Sequence, residues 1–134
     1  MAYFLNVPGV LGTSSDPFHF GWIELESFSF GRVFGGIGRQ SPGDSSEIHC
    51  TKKIDRSSHA LVQMAANGTH KDQMVLAVAE AEVGALRRGE KRRLLDKSRF
   101  VLSDVVISSF QLAGTKFEGV ESFTLNAGKI EAKF

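Results

Sequence analysis

Hydrophobic and polar residues alternate with a period of two along most of the chain, in segments rich in Phe, Val and Ile. Alternation of this kind is typical of β-strands that bury one face. The pattern predicts strands near residues 3–7, 22–30, 47–54, 73–83, 98–112 and 119–131. A series of short strands separated by Gly, Ser and Asp predicts a mostly β domain, either a small barrel or a sandwich.

The segment "WIELESFSF", residues 22–30, breaks this alternation. Its aliphatic residues occupy odd positions and its later phenylalanines occupy even positions, so the buried face changes sides within the segment. A β-bulge near Glu26 or Ser27 has this effect, because it inserts one extra residue into a strand. Ser27 and Ser29 then face water. The alternative is a strand that is covered on both faces.

A helical pattern occurs in "DRSSHALVQMAANG", residues 55–68. Apolar residues at positions 61, 64 and 65 have the spacing of one helix face. Asp55 or Ser57 can cap the first turn, and Gly68 can adopt the left-handed conformation that ends many helices. We therefore expect one short helix over residues 57–67, packed on the side of the β structure.

Two segments have the composition of exposed loops. Residues 31–46, "GRVFGGIGRQSPGDSS", contain five glycines, and residues 84–93, "GALRRGEKRR", concentrate positive charge. The glycine-rich segment has neither the Walker spacing nor the dinucleotide fingerprint, so it predicts a flexible contact loop and not a phosphate site. The basic segment, which includes Arg87–Arg93, predicts a hairpin tip between two strands.

The composition narrows the class of protein. The 134 residues fit one domain spanning 1–134, and 16 Lys plus Arg against 15 Asp plus Glu give a net charge of +1. Such a balance provides no global field to attract nucleic acid or membranes. The lone Cys50 rules out an intrachain disulfide and suits a reducing cytoplasm. The N-terminus shows no signal peptide, and no stretch is apolar enough for a membrane span.

Residues with metal-binding side chains lack the spacing of a metal site. His49 and Cys50 are neighbours on a predicted strand, so they point to opposite faces, and the other histidines (His19, His59 and His70) are scattered. Zinc sites need paired Cys or His ligands at short spacing. We therefore expect no metal and no cofactor.

Catalytic patterns are also missing from the sequence. Glu24 and Glu26 share a strand face and offer a pair of carboxylates, as in glycosidases, but two acids on a solvated strand face are routine. There is no GxSxG elbow or comparable nucleophile motif. We therefore expect no catalytic residues and no enzyme activity.

One alternative function depends on the basic tip. It contains Arg87, Arg88, Lys91, Arg92 and Arg93. Single-stranded nucleic-acid-binding modules combine positive charge with aromatic side chains on which bases stack, and a β-barrel with this tip and many phenylalanines offers both. The positive charge is confined to the tip, however, and most phenylalanines fall on predicted apolar faces. The sequence therefore disfavours nucleic acid as a partner and keeps single-strand binding as the alternative function.

Five blocks of the sequence together resemble one known family. "AYFLNVPGV", "GWIELESFSFG", "HCTKKIDRSSHAL", "LSDVVISSF" and "ESFTLNAGKIEAKF" occur in this order and span nearly the whole chain. They are similar to the haemolysin-coregulated protein (Hcp) family, the inner-tube subunit of bacterial type VI secretion, which itself resembles phage tail-tube proteins.

The resemblance implies a fold, an assembly and partners. The fold is a two-sheet β-barrel with one short α-helix on its side. The assembly is a hexameric ring with a wide lumen, and rings stack into a tube that is expelled into target cells and carries small effector proteins. The other implied partners are the type VI sheath and spike proteins. The subunit is implied to be cytoplasmic before assembly and then secreted without a cleavable signal peptide.

The resemblance also implies roles for particular residues. Ser27 and Ser29 match the strand that lines the ring interior and are therefore candidates for contact with effectors. The glycine-rich segment, residues 31–46, matches an extended loop that contacts neighbouring subunits or the next ring; its ring-contact candidates are Gly31, Arg32, Val33, Phe34, Gly35, Gly36, Ile37, Gly38 and Arg39.

Two features depart from the family pattern. The tip at residues 84–93 is longer and more basic than the usual short turn, which puts the contacts of that turn in doubt. The sequence stops at Phe134, directly after the last predicted strand, so we expect no fused C-terminal toxin domain.

Overall fold

The structure, a computed structural model, describes residues 1–33, 45–81, 88, 94–114 and 119–133. Within these ranges it contains strands and one helix. In chain order they are β1 (Ala2–Asn6), β2 (Ile23–Leu25), β3 (Ser27–Val33), β4 (Ser45–Lys53), α1 (Ser58–Asn67), β5 (His70–Ala81), β6 (Leu94–Gly114) and β7 (Gly119–Lys133). No helix among the described residues is long or apolar enough to cross a membrane.

All seven strands belong to one antiparallel sheet with the order β2-β1-β5-β6-β7-β4-β3. The sheet curls into a half-barrel. Its two edge strands, β2 and β3, follow each other in the chain, so the backbone crosses from one edge of the sheet to the other at Glu26. The Glu26 N–H donates a hydrogen bond of 2.8 Å to the carbonyl of Thr51 and ties this crossing to β4. The prediction of a mostly β, barrel-like fold with one helix is confirmed.

The segment at residues 22–30 forms two strands, and the prediction of one bulged strand is wrong. β2 ends at Leu25 and β3 begins at Ser27, because the two halves pair with different neighbours, β1 and β4. The buried side changes at this break as predicted. Ile23 and Leu25 are buried, whereas Ser27 and Ser29 are exposed.

The helix α1 forms where the 3.6-residue pattern predicts it. Leu61 and Met64 are buried and belong to the same apolar core as the inward residues of the strands. The cap predicted at Asp55 or Ser57 is not formed, because no side chain accepts a hydrogen bond from the first turn after the N-cap residue Ser57. Asp55 Oδ1 instead accepts a 2.8 Å hydrogen bond from the Ser57 N–H, just before the helix. Gly68 ends the helix with a left-handed φ of 62°. The predicted helix and its glycine stop are therefore confirmed.

The apolar core fills the concave side of the sheet and continues under α1. Its fully buried members come from nearly every element, which explains why the strands alternate so regularly between apolar and polar residues. They include Leu5, Ile23, Ile48, Leu61, Met74, Leu76, Leu102, Val105 and Leu125.

The predicted glycine-rich loop is shorter than the sequence suggests. Gly31, Arg32 and Val33 continue β3 and pair with Glu47, Ser46 and Ser45 of β4. Assigning these three residues to a loop was therefore wrong: backbone pairing with β4 holds them extended despite the glycine. Residues 34–44, with the remaining loop candidates, lie outside the described residues.

A buried ion pair fastens the start of α1 to the sheet. The Lys52 side chain on β4 is fully buried, and its Nζ lies 2.7 Å from Oε2 of the buried Glu121 on β7. The same ammonium group donates to Asp55 Oδ1 at 3.1 Å and to Ser58 Oγ at 3.2 Å. These contacts join two strands and the start of the helix in one network.

Candidate functional site: a hydroxyl-rich face on four strands

Four adjacent strands, β3, β4, β7 and β6, carry a polar surface on the side of the sheet opposite the core. Residues that pair directly across antiparallel strands point to the same face. Ser27 pairs with Thr51, and Ser29 pairs with His49; these rows continue across β7 and β6. We call this surface the hydroxyl face and define it by Ser27, Ser29, His49, Thr51, Ser109, Gln111, Ser122 and Thr124.

An irregularity in β6 completes the hydroxyl face. The register between β6 and β7 shifts between Ile107 and Ser109, so Ile107 pairs with buried Leu125 while Ser109 pairs with Thr124. Ser108 is the extra residue, and it shifts by one residue the positions of β6 whose side chains point away from the core, as a β-bulge does. Ser109 and Gln111 therefore join the polar side although Ile107 faces the core.

Hydrogen bonds between neighbouring strands hold the hydroxyl face in place. Ser27 Oγ and Thr51 Oγ1 lie 2.5 Å apart, and His49 Nδ1 lies 3.0 Å from Thr124 Oγ1. A shallow groove of about 360 Å³ runs over β4, β7 and β6, and its lining contains no Asp, Glu, Lys or Arg among the described residues. The face thus presents mainly hydroxyl and amide groups to solvent or to a bound protein, with one carboxylate beside it, since Glu47 Oε2 lies 3.6 Å from His49 Nε2.

The other side of the same strands is apolar and chemically inert. Cys50 lies between His49 and Thr51, is 1% exposed and faces the core. Burial raises the pKa of its thiol to about 12, so the reactive thiolate is scarcely populated at neutral pH. Next to it, Phe123 stacks on Phe110 with ring centroids 6.1 Å apart. Cys50 is therefore a packing residue.

Ser27 and Ser29, the two serines predicted from the sequence, each lie on edge strand β3 at the start of one series of paired residues that crosses the hydroxyl face. Both are exposed, as the change of buried face predicted, while their location in a ring interior stays a prediction. The other members of the hydroxyl face were not predicted. Their signal was present, because each occupies an outward position of an alternating segment, but pairing partners are needed to recognise a continuous surface.

Glu24 and Glu26 lie on a separate cavity of about 350 Å³, together with Thr13, Lys53 and Asp55. Glu26 Oε1 lies 3.9 Å from Lys53 Nζ, a weak surface ion pair. Exposed carboxylates of this kind are ordinary surface groups.

The histidines occupy four unrelated environments. His49 and His59 are exposed, His70 Nδ1 lies 3.2 Å from Asp104 Oδ1, and His19 is buried. Within the described part of the chain, no group of three or more His, Cys, Asp or Glu residues can hold a metal ion.

His19 is buried, although nothing in the sequence around it sets it apart from the other histidines. Its Nδ1 lies 2.6 Å from Asp16 Oδ2, and its Nε2 lies 2.5 Å from Asp96 Oδ1. The ring also stacks on Phe4 with centroids 4.4 Å apart. These contacts fasten the loop between β1 and β2, residues 7–22, to the beginning of β6.

The basic tip that motivated a nucleic-acid hypothesis falls largely outside the described residues. Arg88 is described and is exposed. The hypothesis of single-strand binding therefore stays a prediction from sequence.

Comparisons with known proteins agree on one family. The family model described as "Type VI secretion system effector, Hcp" matches residues 4–134. The comparison with curated protein sequences found no match.

Solved structures with the same fold are found at low sequence identity. Hcp1 from Salmonella typhimurium is 21% identical with a TM-score of 0.76, over 100% of this chain and 87% of that one. Hcp2 from the same organism is 20% identical with a TM-score of 0.72, over 100% and 85%. A type VI secretion system effector from Yersinia pestis is 16% identical with a TM-score of 0.69, over 98% and 96%. At these identities the likeness shows a common fold.

Proposed function

The chain belongs to the Hcp family of type VI secretion, and from this premise we propose that it is a structural subunit of the inner tube. In this proposal six copies form a ring with an open lumen, and rings stack into a tube that is expelled into target cells. Family membership implies a secreted protein. The subunit is cytoplasmic before assembly and leaves without a cleavable signal peptide.

The observation that carries the proposal is the family match over residues 4–134. A half-barrel sheet with one polar and one apolar side agrees with it, because a tube subunit needs extended surfaces for contact with other copies and has no need of an active site. We accordingly assign no catalytic residue and no cofactor to the chain.

The hydroxyl face is the proposed lining of the lumen. Ser and Thr hydroxyls donate and accept hydrogen bonds and keep a surface hydrated, whereas exposed charges bind oppositely charged proteins strongly at low salt. A lining made mainly of hydroxyl and amide groups can hold small effector proteins by many weak contacts and release them after delivery. Ser27 and Ser29 are the effector-contact residues that the family resemblance and the exposure of the two side chains jointly support.

Other partners follow from the same proposal. The type VI sheath encloses the outside of the tube, and the spike caps its end. The remaining ring-contact candidates at residues 34–39, together with Gly31, Arg32 and Val33 at the end of edge strand β3, contact the neighbouring subunit or the next ring.

Light scattering of the purified chain, combined with negative-stain electron microscopy, tests the proposal. We expect a mass of six copies and six-fold rings with an open centre. A uniform monomer at high protein concentration would contradict the tube function.

A further inference from the structure

Both ring nitrogens of the buried His19 lie against carboxylate oxygens. Nδ1 is 2.6 Å from Asp16 Oδ2 in the same loop, and Nε2 is 2.5 Å from Asp96 Oδ1 on β6. A neutral imidazole has one N–H and one lone pair, and an ionised carboxylate only accepts hydrogen bonds. Two hydrogen bonds therefore form only if the ring carries a second proton or one of the carboxyl groups is protonated. We call these three residues the His19 clamp.

Further donors hold both carboxylates of the His19 clamp in the charged form. Asp96 Oδ2 accepts a hydrogen bond from Arg99 Nε at 3.1 Å and lies 2.9 Å from Arg99 Nη2. Asp16 Oδ2 accepts a 3.1 Å hydrogen bond from the Phe18 N–H. A nearby cation and a donated hydrogen bond each favour the ionised form of a carboxyl group. The ring of His19 is thus the group that takes the second proton.

An irregularity between β5 and β6 builds the part of the His19 clamp that lies on β6. The register shifts between Val78 and Ala79, so Asp96 pairs with Ala79 while Arg99 pairs with Ala77. In a regular strand, residues three apart point to opposite sides of the sheet. The bulge places Asp96 and Arg99 on the same side, where the guanidinium group can hold the carboxylate that faces the ring.

The neighbouring strands add one further charged side chain on this side of the sheet among the described residues. Phe4 of β1 stacks on the imidazole ring, with centroids 4.4 Å apart. Phe4 pairs with Ala77 of β5 on one side and with Glu24 of β2 on the other. Glu24 is exposed, and the imidazole ring also meets the edge of Trp22 at 5.0 Å. Apolar groups therefore cover the ring faces, and the two carboxylates meet its nitrogens.

The charges of the cluster balance only when the ring carries both protons. A charged His19 together with Arg99 then offsets Asp16 and Asp96. A neutral ring leaves one negative charge in excess and sets a nitrogen lone pair against a carboxylate oxygen. An uncompensated charge at a buried site is strongly destabilising.

We propose that the His19 clamp closes the loop at residues 7–22 onto β6, and that rising pH loosens it by removing one ring proton. The closed loop binds a proton that the open loop releases, so closure is strongest at low pH and weakens as the pH rises. Arg56 Nε separately donates a 2.6 Å hydrogen bond to the Gly12 carbonyl, which confines the loosening to residues 13–22. The clamp belongs to a single subunit and does not depend on ring formation.

Magic-angle-spinning NMR of the sedimented full chain counts the ring protons of His19. Phe18–His19 is the only Phe–His pair in the sequence, so ¹³C in the Phe carbonyl with ¹³C and ¹⁵N in histidine assigns its signals. At about pH 7.5 most ordinary histidines have lost one ring proton. We expect two N–H groups on His19 at this pH. A single N–H group on His19 would overturn the proposal.

Hydrogen exchange measured by mass spectrometry follows the loop itself. Peptides over residues 13–22 report the Gly21 N–H, bonded to the Ser14 carbonyl at 2.9 Å, and the Trp22 N–H, bonded to the His19 carbonyl at 3.1 Å. After correction for chemical exchange, we expect their protection to fall at least about tenfold between about pH 6 and pH 9, the value of one hydrogen bond to a charged group. Loop protection that does not change with pH would overturn the proposal.

Asp96→Asn separates the ring proton from a merely structural role. The introduced amide N–H can donate to a neutral ring, whose other nitrogen donates to Asp16, so closure no longer needs a second proton. We expect lower protection at pH 6, because Arg99 loses its charged partner, and little further change up to pH 9. Glu24→Gln, outside the clamp, should keep the parent's pH dependence. Equal pH dependence in the parent and in Asp96→Asn would overturn the proposal, and the NMR measurement tests it on the parent chain alone.

Discussion

Lys52→Met removes a buried ammonium group and leaves its carboxylate partner in place. The methionine keeps an unbranched stem of similar length, so packing against the surrounding side chains changes little. Glu121, which is 2% exposed, loses a partner 2.7 Å away. Removing one member of a buried ion pair costs about 3–5 kcal/mol, because the remaining charge is left uncompensated in a poorly solvated site.

This cost is a large part of the stability of a small domain, which is about 5–15 kcal/mol in total. For a chain of this size we expect the melting temperature to fall by roughly 10–20 °C. Equilibrium urea unfolding at a fixed protein concentration measures the change, since oligomer formation makes apparent stability depend on concentration.

The matched control is Glu121→Leu. Lys52 then keeps Asp55 Oδ1 at 3.1 Å, Ser58 Oγ at 3.2 Å and the Lys53 carbonyl at 2.9 Å, so we expect a smaller loss than for Lys52→Met. The double variant should be more stable than Lys52→Met alone, with a coupling of about 1–3 kcal/mol. A Lys52→Met variant within about 0.5 kcal/mol of the parent, or strictly additive effects of the two substitutions, would show that Lys52 and Glu121 do not stabilise each other.

Three further predictions concern the hydroxyl face, the thiol and the end of the helix. Ser29→Gln should leave the mass of the ring unchanged and weaken retention of a co-expressed type VI effector about fivefold. This factor corresponds to the loss of one hydrogen bond of about 1 kcal/mol. Loss of the ring would show instead that Ser29 lies at a subunit interface. Native Cys50 should react with iodoacetamide at pH 8 at least roughly a hundredfold more slowly than in urea, because burial raises its thiol pKa to about 12; equal rates would contradict its burial. Gly68→Ala should lower the free energy of unfolding by about 1–2 kcal/mol, since Gly68 has a φ of 62°. Gly68→Asn should cost less, because Asn tolerates this conformation, and equal costs would argue against backbone strain.

The alternating pattern predicts much of the fold because each strand buries one face. Strand positions, the helix and its glycine stop, and the exposure of Ser27 and Ser29 all follow from local spacing. The break at Glu26 could be located from the shift of apolar residues. The sequence could not predict that β2 and β3 occupy opposite edges of the sheet, because strand order depends on pairing between distant segments.

The buried polar groups could not be predicted for the same reason. Lys52 belongs to "TKKID", which has the composition of a solvated strand end, and its partner Glu121 is 69 residues away. His19 and Asp96 are 77 residues apart. A single charged residue in a sequence is usually solvent-exposed, and its burial becomes visible only once the opposite charge is brought next to it.

In the proposed assembly, the hydroxyl face lines the lumen of a ring. Labelling a Ser29→Cys variant with maleimide gold and imaging it by electron microscopy tests this placement, since Cys50 is buried and stays unlabelled. A matched Gln63→Cys variant carries the label on α1, on the apolar side of the sheet. We predict six-fold rings with gold at the centre for Ser29→Cys and at the outer rim for Gln63→Cys. Gold at the outer rim for Ser29→Cys would contradict the claim.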